Sequence, residues 1–472
     1  MKKLNELINC DYSVEIKGIK TNSKEVENGD LFICIKGANI DRHDFIDEAI
    51  ENGAVALITD RDVSVNIPYV KVESPDEQLK NVCEKFYDDP SSKLKIIGIT
   101  GTDGKTSTST IVQTLIGSDL CGYIGTTGIS CKKFNKSTTN TTLPYNKLLE
   151  NFRDFIDAGC KYVVMEVSSE AIYYNRVDRL NFDVAALTTV TSDHLNTHKT
   201  LENYVNCKKQ LFKQVKNTGF SILNKESNYY NEFYDIANGK KLSYGKDTLG
   251  DLIIKSYELF KDKTNISILY KDKEYNFTSP MVGDFNVYNL SCAILVCLSL
   301  GFDMEYLLNN VKNISVDGRV NIVKYNNNSI VIDYAHTLDA MEKVIHTFKK
   351  INHNKLYIVF GCTGDRDRTK RPLMLDLALR NSDYVIVTSD DLHDEEFSHI
   401  VNDMEEGITL NNYEVCKNRA LAIEKAIDML ESDDILLVLG KGHEKFIIVK
   451  DKKIPFNDRS HVEHVIKERI KL

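Results

Sequence analysis

Gly98-Ile99-Thr100-Gly101-Thr102-Asp103-Gly104-Lys105-Thr106-Ser107 is the stretch that decides the fold of this chain. It lies between the apolar run Lys95–Thr100, which reads as a strand, and Ser107–Ile116, which reads as a helix. A glycine-rich loop in that setting points backbone N–H groups at a helix start, where anions are favoured. Lys105 is then placed to reach β- and γ-phosphates, and the Thr106 hydroxyl to face a magnesium ion. The generic GxxxxGK[ST] pattern fails only at its first position, where Ile99 stands, so the loop is a variant. The plainer alternative, a tight turn with an incidental lysine, leaves the strand-loop-helix context unexplained.

Outward from this loop, the strand-like runs Tyr162–Glu166 and Val184–Thr188 alternate with helical stretches such as Leu201–Lys213. Ser329–Asp333, Leu356–Phe360, Tyr384–Thr388 and Ile435–Leu439 repeat the habit further on. Such alternation predicts an α/β protein with parallel sheets covered by helices, and ligands at the carboxyl ends of the strands. Polar breaks at Asp88–Ser92 and Ser315–Arg319 divide the chain into three expected domains, 1–90, 91–318 and 319–472. The first is a small α/β domain, the second a P-loop ATPase-type parallel sheet, the third Rossmann-like.

The 472 residues include 60 Lys+Arg against 69 Asp+Glu, a net charge of −9 that argues against a nucleic-acid partner. Ala293–Phe302, the longest nearly apolar stretch, is about half the roughly 20 residues of a spanning helix. The N-terminus has no signal-like apolar run, so a cytoplasmic protein without membrane insertion is expected. The 11 cysteines are scattered singly and read as small buried hydrophobes in a reducing compartment.

Two further blocks bear on metal chemistry. Tyr162–Glu166 ends a strand in a carboxylate, and His194 follows the next strand in Thr191-Ser-Asp-His194-Leu-Asn-Thr-His198. A hard oxygen donor and an imidazole at strand ends suit a divalent cation on phosphates, although each alone could be an ordinary surface acid or loop histidine.

The loop TGTDGKT at 100–106 resembles the TGTNGK[TS] of the Mur ligases, with Asp103 in place of the usual Asn and hence a negative charge beside a polyanion. The resemblance extends along the chain. Tyr204-Val-Asn-Cys-Lys208-Lys209-Gln-Leu-Phe212 is similar to the family's YxxAKxxLF helix, which implies that Lys208 is carbamylated (N6-carboxylysine, its carbamate derived from CO₂) and supplies an oxygen to a second magnesium. Lys209 is the competing candidate. Met281–Asn289 is similar to LxGxFNxxN, which implies that Asn286 and Asn289 approach adenine. Asp317-Gly318-Arg319 matches the hinge GR, and Asp333-Tyr-Ala-His-Thr337 matches DYAHT, with Leu338 for the following proline. By this resemblance Arg319 holds phosphates and Asp333 the ribose. ATP and Mg²⁺ are the implied cofactors. Gly101, Thr102, Asp103, Gly104, Lys105, Thr106 and Ser107 complete the ATP site, Thr106, Glu166, His194 and Lys208 hold metal, and Lys105, Lys208, Glu166, His194 and Arg319 carry catalysis.

Within the family, the MurE branch (UDP-N-acetylmuramyl-tripeptide synthetases) fits best. Thr21–Phe32 resembles its uridine-nucleotide-binding domain, and Lys24 stands where that branch usually has Arg. Ser23, Thr141, Thr142, Ser168 and Arg176 are the implied contacts to UDP-MurNAc-L-Ala-D-Glu, the peptide partner. The run Gly361–Met374 resembles GCGGDRDxxKRPLM, and Gly440–Glu444 resembles GKGHE. These imply that Arg366, Gly440 and Glu444 handle the incoming free amino acid. The specificity loop departs from DNPR: Asp390-Asp391-Leu392-His393 lacks the arginine that grips a distal carboxylate, and Asp394-Glu395-Glu396 adds acid that could suit a side-chain ammonium. The implied product chemistry is ATP-dependent addition of an amino acid, a diamino acid such as L-lysine or meso-diaminopimelate, by a monomer in peptidoglycan synthesis. The alternatives are another superfamily ligase, such as folylpolyglutamate synthetase, or a non-catalytic paralogue that binds nucleotide or muramyl peptide.

Overall fold

The computed structural model describes residues 1–37, 40–138, 140–191, 195–246 and 250–471. They pack as two compact units, Met1–Gly98 with Ser118–Asp183, and Ile99–Gly117 with Val184–Leu472. The divisions fall inside two strands, Lys95–Thr100 and Phe182–Leu187.

The first unit begins with a four-stranded sheet, Gly18–Lys20, Asp30–Ile33, Ala54–Thr59 and Tyr69–Lys71, parallel throughout. Phe32, Cys34, Ile46, Ala49 and Leu57 form its core. Helix Pro75–Phe86 starts on a Ser74 cap with proline in its first turn, where a missing N–H costs nothing. Its polar face meets Asp178 and Arg179: Lys80 Nζ reaches Asp178 at 2.8 Å, and Arg179 reaches Glu77 at 2.6 Å and Asn81 at 2.7 Å. Farther along, Phe134–Lys136, Gly128–Cys131, Cys121–Gly125 and Tyr162–Glu166 are neighbours in that order. Tyr162–Glu166 pairs with Cys121–Gly125 in parallel, whereas the two edge pairings are antiparallel.

In the second unit, Val215–Asn224, Lys240–Lys246 and Leu252–Leu259 are parallel, and Thr264–Tyr270 and Lys273–Ser279 extend the sheet antiparallel. The central sheet is parallel-rich, as expected, with antiparallel pairs at its margins. A two-residue turn explains one margin. Lys271 and Asp272 have φ of 47° and 61°, which gives the twist that closes a tight hairpin.

The C-terminal sheet orders Asn321–Tyr325, Asn328–Asp333, Ile435–Leu439, Leu356–Phe360, Tyr384–Val387 and Tyr413–Val415, all parallel except the first pair. Alternate strand residues serve two cores, as the period of two requires. Leu356, Ile358, Phe360, Leu437 and Leu439 pack with helices Leu338–Lys350 and Lys370–Asn381. Tyr357, Val359, Leu436 and Val438 pack with Arg419–Asp428 and Asp458–Ile470 on the other face. Nine of the cysteines are buried, only Cys10 and Cys207 being partly exposed, as expected of small hydrophobes. Among the described residues no helix is long and apolar enough to cross a membrane.

A buried charge cluster braces this sheet's carboxyl end. Arg371, wholly buried, forks onto Glu395 at 2.9 and 2.7 Å and also reaches Asp403 at 2.8 Å and the Thr363 carbonyl at 3.2 Å. Hydrogen bonding from Arg371 holds the Glu395 carboxyl down to about 2. Its contribution to stability is therefore complete above the ordinary carboxylate range and disappears as pH falls from about 4.5 towards 2. Glu395→Gln is expected to destabilise the protein at pH 7 by roughly 3 kcal/mol, because a buried guanidinium loses its fork. The deficit should shrink as the pH of thermal unfolding is lowered through 4.5 to 2, and a pH-independent difference in melting temperature would refute the assignment.

Candidate active site

The phosphate loop closes on the strand Lys95–Thr100 and opens helix Lys105–Ile116, four glycine-framed residues between a buried strand and a buried helix. Glycine is needed twice. A Cβ on Gly101 would stand 1.9 Å from Thr188 Oγ1, and one on Gly104, whose φ is +83°, 2.4 Å from Asn289 Oδ1. Thr102 N donates to the Thr189 carbonyl at 2.6 Å, Asp103 N to Thr189 Oγ1 at 3.2 Å, and Thr188 Oγ1 to the Asp103 carbonyl at 2.5 Å. Thr106 and Ser107 are buried in the first helical turn.

Two ammonium groups converge on this loop. Lys105 Nζ donates to the carbonyls of Gly101 (2.9 Å) and Thr102 (2.8 Å), and Lys208 Nζ donates to the same Gly101 carbonyl at 2.9 Å. Helix Leu201–Lys213, capped by Thr200, delivers Lys208 almost fully buried, with its ammonium 4.4 Å from the centre of the Tyr204 ring. Lys209 points elsewhere, to Glu232 and to Asn206. The geometry thus separates the two lysines that the sequence pattern left in competition. Asn286 and Asn289 are buried on helix Asp284–Ser299 and hydrogen-bonded to each other at 3.2 Å. Thr108 Oγ1 reaches Asn289 Oδ1 at 3.4 Å, which places that helix against the one that follows the loop.

The hinge is locally strained. Gly318 has φ +68°, and a Cβ there would lie 2.1 Å from the His443 nitrogen; Val320, β-branched, stands at φ +47°. Asp333 holds that conformation, accepting from Val320 N at 2.7 Å and Ala335 N at 2.8 Å. Burial raises its carboxyl above the usual range despite the nearby Arg319. The Arg319 guanidinium lies 4.7 Å from the Tyr334 ring centre, and its Nε is buried without a hydrogen-bond partner among the described residues. Burial also lowers the His443 imidazole to about 4, so it is neutral at pH 7.

Asp390, Asp391 and Glu444 cluster at the end of the C-terminal sheet. Lys441, fully buried, sits among them: 2.8 Å from Asp391 Oδ1, 2.6 Å from Glu444 Oε2 and 3.9 Å from Asp390 Oδ1. Asp390 Oδ2 is buried with no partner among the described residues, and a Cβ on Gly440 would come within 2.6 Å of it. The Leu392 and His393 nitrogens both approach the Ile448 carbonyl, at 2.8 and 3.3 Å, so the specificity loop is tied to the hairpin Phe446–Pro455. One expectation is corrected. Glu395 is no open acid for a substrate ammonium, because Arg371 and Arg368 occupy it, the latter at 2.9 Å. Arg366 is exposed in the preceding turn.

The first unit gathers a separate set. Glu166, fully buried, accepts at Oε1 from Tyr123 OH (2.7 Å) and Thr126 N (2.8 Å), and at Oε2 from Thr126 Oγ1 (3.2 Å). Thr141 Oγ1 lies 3.2 Å from Thr126 Oγ1, and Thr142 Oγ1 donates to the Glu166 carbonyl at 2.9 Å. Ser168 caps helix Ser169–Tyr173, and Arg176 reaches the Thr142 carbonyl at 2.9 Å. Thr141, Thr142, Glu166, Ser168 and Arg176 thus form one polar cluster. Ser23 is apart from it, buried, its hydroxyl on Glu48 at 2.5 Å. His194 lies outside the described residues.

The cluster also contains Tyr123 and Thr126, and the carboxyl end of the C-terminal sheet contains Lys441 and Arg371, none of which the sequence reading assigned a role. The Gly125-Thr-Thr-Gly128 turn directly after a strand is the signal that marks Thr126. The Gly101–Gly104 cradle fits a polyphosphate, and the buried Thr106 hydroxyl next to it offers a hard oxygen donor that fits magnesium. Gly104→Ala is expected to lower kcat/KM for ATP by about 100-fold or more, since the added methyl meets Asn289 in a left-handed backbone position. Unaltered ATP kinetics in that variant would refute the cradle.

The Mur ligase family catalytic domain matches residues 15–92, the Mur ligase middle domain 99–297, and the Mur ligase glutamate ligase domain 318–442. The UDP-N-acetylmuramoyl-L-alanyl-D-glutamate–2,6-diaminopimelate ligase of Aquifex aeolicus (strain VF5) is 37% identical over 454 residues, 96% of this chain and 94% of the relative. A solved structure of a ligase of the same name aligns over 100% of both chains with a TM-score of 0.71 at 28% identity. The MurF ligase of Thermotoga maritima in complex with ADP shares the fold, with a TM-score of 0.70 at 20% identity over 96% of this chain and 98% of that one. Three domain matches in succession, and a relative more than one-third identical over nearly the whole length, show that the chain belongs to the Mur ligase family.

Proposed function

We propose that the chain is an ATP-dependent, ADP-forming ligase that adds a diamino acid to UDP-MurNAc-L-Ala-D-Glu in peptidoglycan synthesis. The observation that carries this reading is the glycine-cradled loop on which Lys105 and Lys208 converge, in a chain whose relatives are named 2,6-diaminopimelate ligases. Residues 1–90 bind the uridine nucleotide, 91–318 bind ATP and carry out the transfer, and 319–472 bind the amino acid. The protein acts in the cytoplasm as a monomer.

In this mechanism the loop amides and Lys105 hold the ATP phosphates, Arg319 offsets charge on them, and Asn286, Asn289 and Asp333 orient the nucleoside. The γ-phosphoryl group passes to an oxygen of the D-glutamyl carboxylate and ADP leaves. The amine of the amino acid then attacks the acyl carbon and displaces phosphate, losing a proton as the amide forms. Thr106, Glu166, His194 and a carbamate on Lys208 would hold magnesium, which would supply charge neutralisation of the phosphates. Carbamylation turns the buried Lys208 ammonium into an anionic oxygen donor, the one change that lets this side chain serve as a metal ligand. Seating of the C-terminal domain about the Gly318–Val320 hinge excludes water from the acyl phosphate. Thr141, Thr142, Ser168 and Arg176 contact the muramyl peptide, and Ser23 supports the uridine end. Arg366, Asp390, Asp391, His393, Gly440 and Glu444 receive the amino acid. Because the relatives are named 2,6-diaminopimelate ligases, meso-diaminopimelate is the first substrate to test and L-lysine the second.

Phosphate release from ATP is measured with UDP-MurNAc-L-Ala-D-Glu, Mg²⁺ and bicarbonate across meso-diaminopimelate, L-lysine, L-ornithine and neutral amino acids. Release that requires both the peptide and one diamino acid is expected; binding of the peptide with no release across the panel would favour the non-catalytic alternative. Lys208→Ala should lose about 100-fold or more in kcat and recover in part with short-chain carboxylic acids, whereas Lys209→Ala should stay within about threefold. Full activity of Lys208→Ala would overturn the carbamate.

A further inference from the structure

Helix Leu338–Lys350 lays a stripe of polar side chains, Lys343, Thr347 and Lys350, along two nucleotide-binding elements of its own unit. The spacing of four and then three residues keeps all three on one helix face. Lys343 Nζ donates to Asp103 Oδ2 in the phosphate loop at 2.8 Å and to Asp339 Oδ2, one turn back, at 2.5 Å. Thr347 Oγ1 donates to Asp284 Oδ1 at 3.2 Å and Lys350 Nζ to Asp284 Oδ2 at 3.1 Å. Asp284 opens the helix that carries Asn286 and Asn289. The C-terminal domain therefore touches both the phosphate loop and the start of the asparagine helix through one face of one helix.

Asp103 is the position where this loop departs from the family's asparagine, and its partly exposed carboxylate shares the Lys343 ammonium with Asp339. Its nitrogen and carbonyl are both held, by Thr189 and Thr188, so the residue cannot swing away from a bound polyphosphate. Lys105, the nearest loop cation, already serves the Gly101 and Thr102 carbonyls. What remains is an external counter-charge, and Lys343 is the side chain in place. Asp339, in the helix's first turn, holds the same ammonium extended towards the loop.

We propose that Lys343 is a positioning residue for ATP: it neutralises Asp103, making a phosphate loop with an acid at this position competent for a polyanion. Nucleotide affinity is thereby tied to the seating of the C-terminal domain's first helix. The proposal rests on the reading of this loop as the ATP site.

The test measures kcat and KM for ATP in the full chain with acceptor and amino acid saturating, for wild type, Lys343→Met, Lys343→Arg and the double variant Asp103→Asn/Lys343→Met. Lys343→Met is expected to raise KM for ATP about tenfold, with the effect falling mainly on KM rather than kcat, because the removed charge acts on nucleotide binding. Lys343→Arg, which keeps the charge, should stay within about threefold of wild type. Adding Asp103→Asn to Lys343→Met should bring KM back to within about threefold, a recovery that misfolding could not produce. A KM unchanged in Lys343→Met, or a double variant as weak as Lys343→Met, would overturn the proposal. A wild-type chain with no saturable ATP dependence would instead overturn the ATP reading on which it rests.

Discussion

Two ammonium groups share one carbonyl oxygen, that of Gly101, and the glycine loop Gly101–Gly104 is held between them and the strand it follows. One carbonyl accepting from both lysines fixes both side chains against the loop. The loop has to be rigid for this to work, and close packing against Thr188 and Asn289 makes it so, leaving room only for hydrogen atoms at Gly101 and Gly104. Lys208 can reach the loop only because a buried helix, capped by Thr200 and anchored by Tyr204, Leu211 and Phe212, points it inward. A flexible lysine on an exposed helix would stay in water.

The same principle governs the C-terminal domain, with the signs arranged differently. There the acids Asp390, Asp391 and Glu444 surround Lys441, and Glu395 and Asp403 surround Arg371. These pairs tie together the segments that follow the strands Leu356–Phe360, Tyr384–Val387 and Ile435–Leu439, and Asp390 Oδ2 is left as a buried acceptor beside Gly440. The backbone bonds of Leu392 and His393 to Ile448 tie the hairpin Phe446–Pro455 to the same loop.

Between these two regions lies a strained hinge. Val320 in the left-handed region is a costly conformation for a β-branched residue, and it persists because Asp333 clamps its N–H from a buried strand end. Gly318 and Gly442 approach so closely that neither could carry a side chain, which binds the hinge to the Gly440–Glu444 loop. Arg319, stacked on Tyr334, is thus aimed by backbone geometry more than by its own hydrogen bonds.

The order of strands and helices was legible in the chain because period and punctuation are local. Lys95–Thr100, Tyr162–Glu166, Leu356–Phe360 and Ile435–Leu439 are apolar runs between polar turns, and they are strands with those bounds. Leu201–Lys213 is a helix with the bounds its cap and periodicity indicate. The phosphate loop was equally plain, since only glycine satisfies its backbone. What no pattern contained was partnership between distant residues. That Lys208 rather than Lys209 faces the loop depends on which helix face is buried. That Glu395 belongs to Arg371, that Lys441 pairs with Asp391 and Glu444, and that Asp103 meets Lys343 across 240 positions of chain are matters of tertiary packing. Charges pair over a few ångströms, whatever their separation in sequence, and only the folded chain sets that distance.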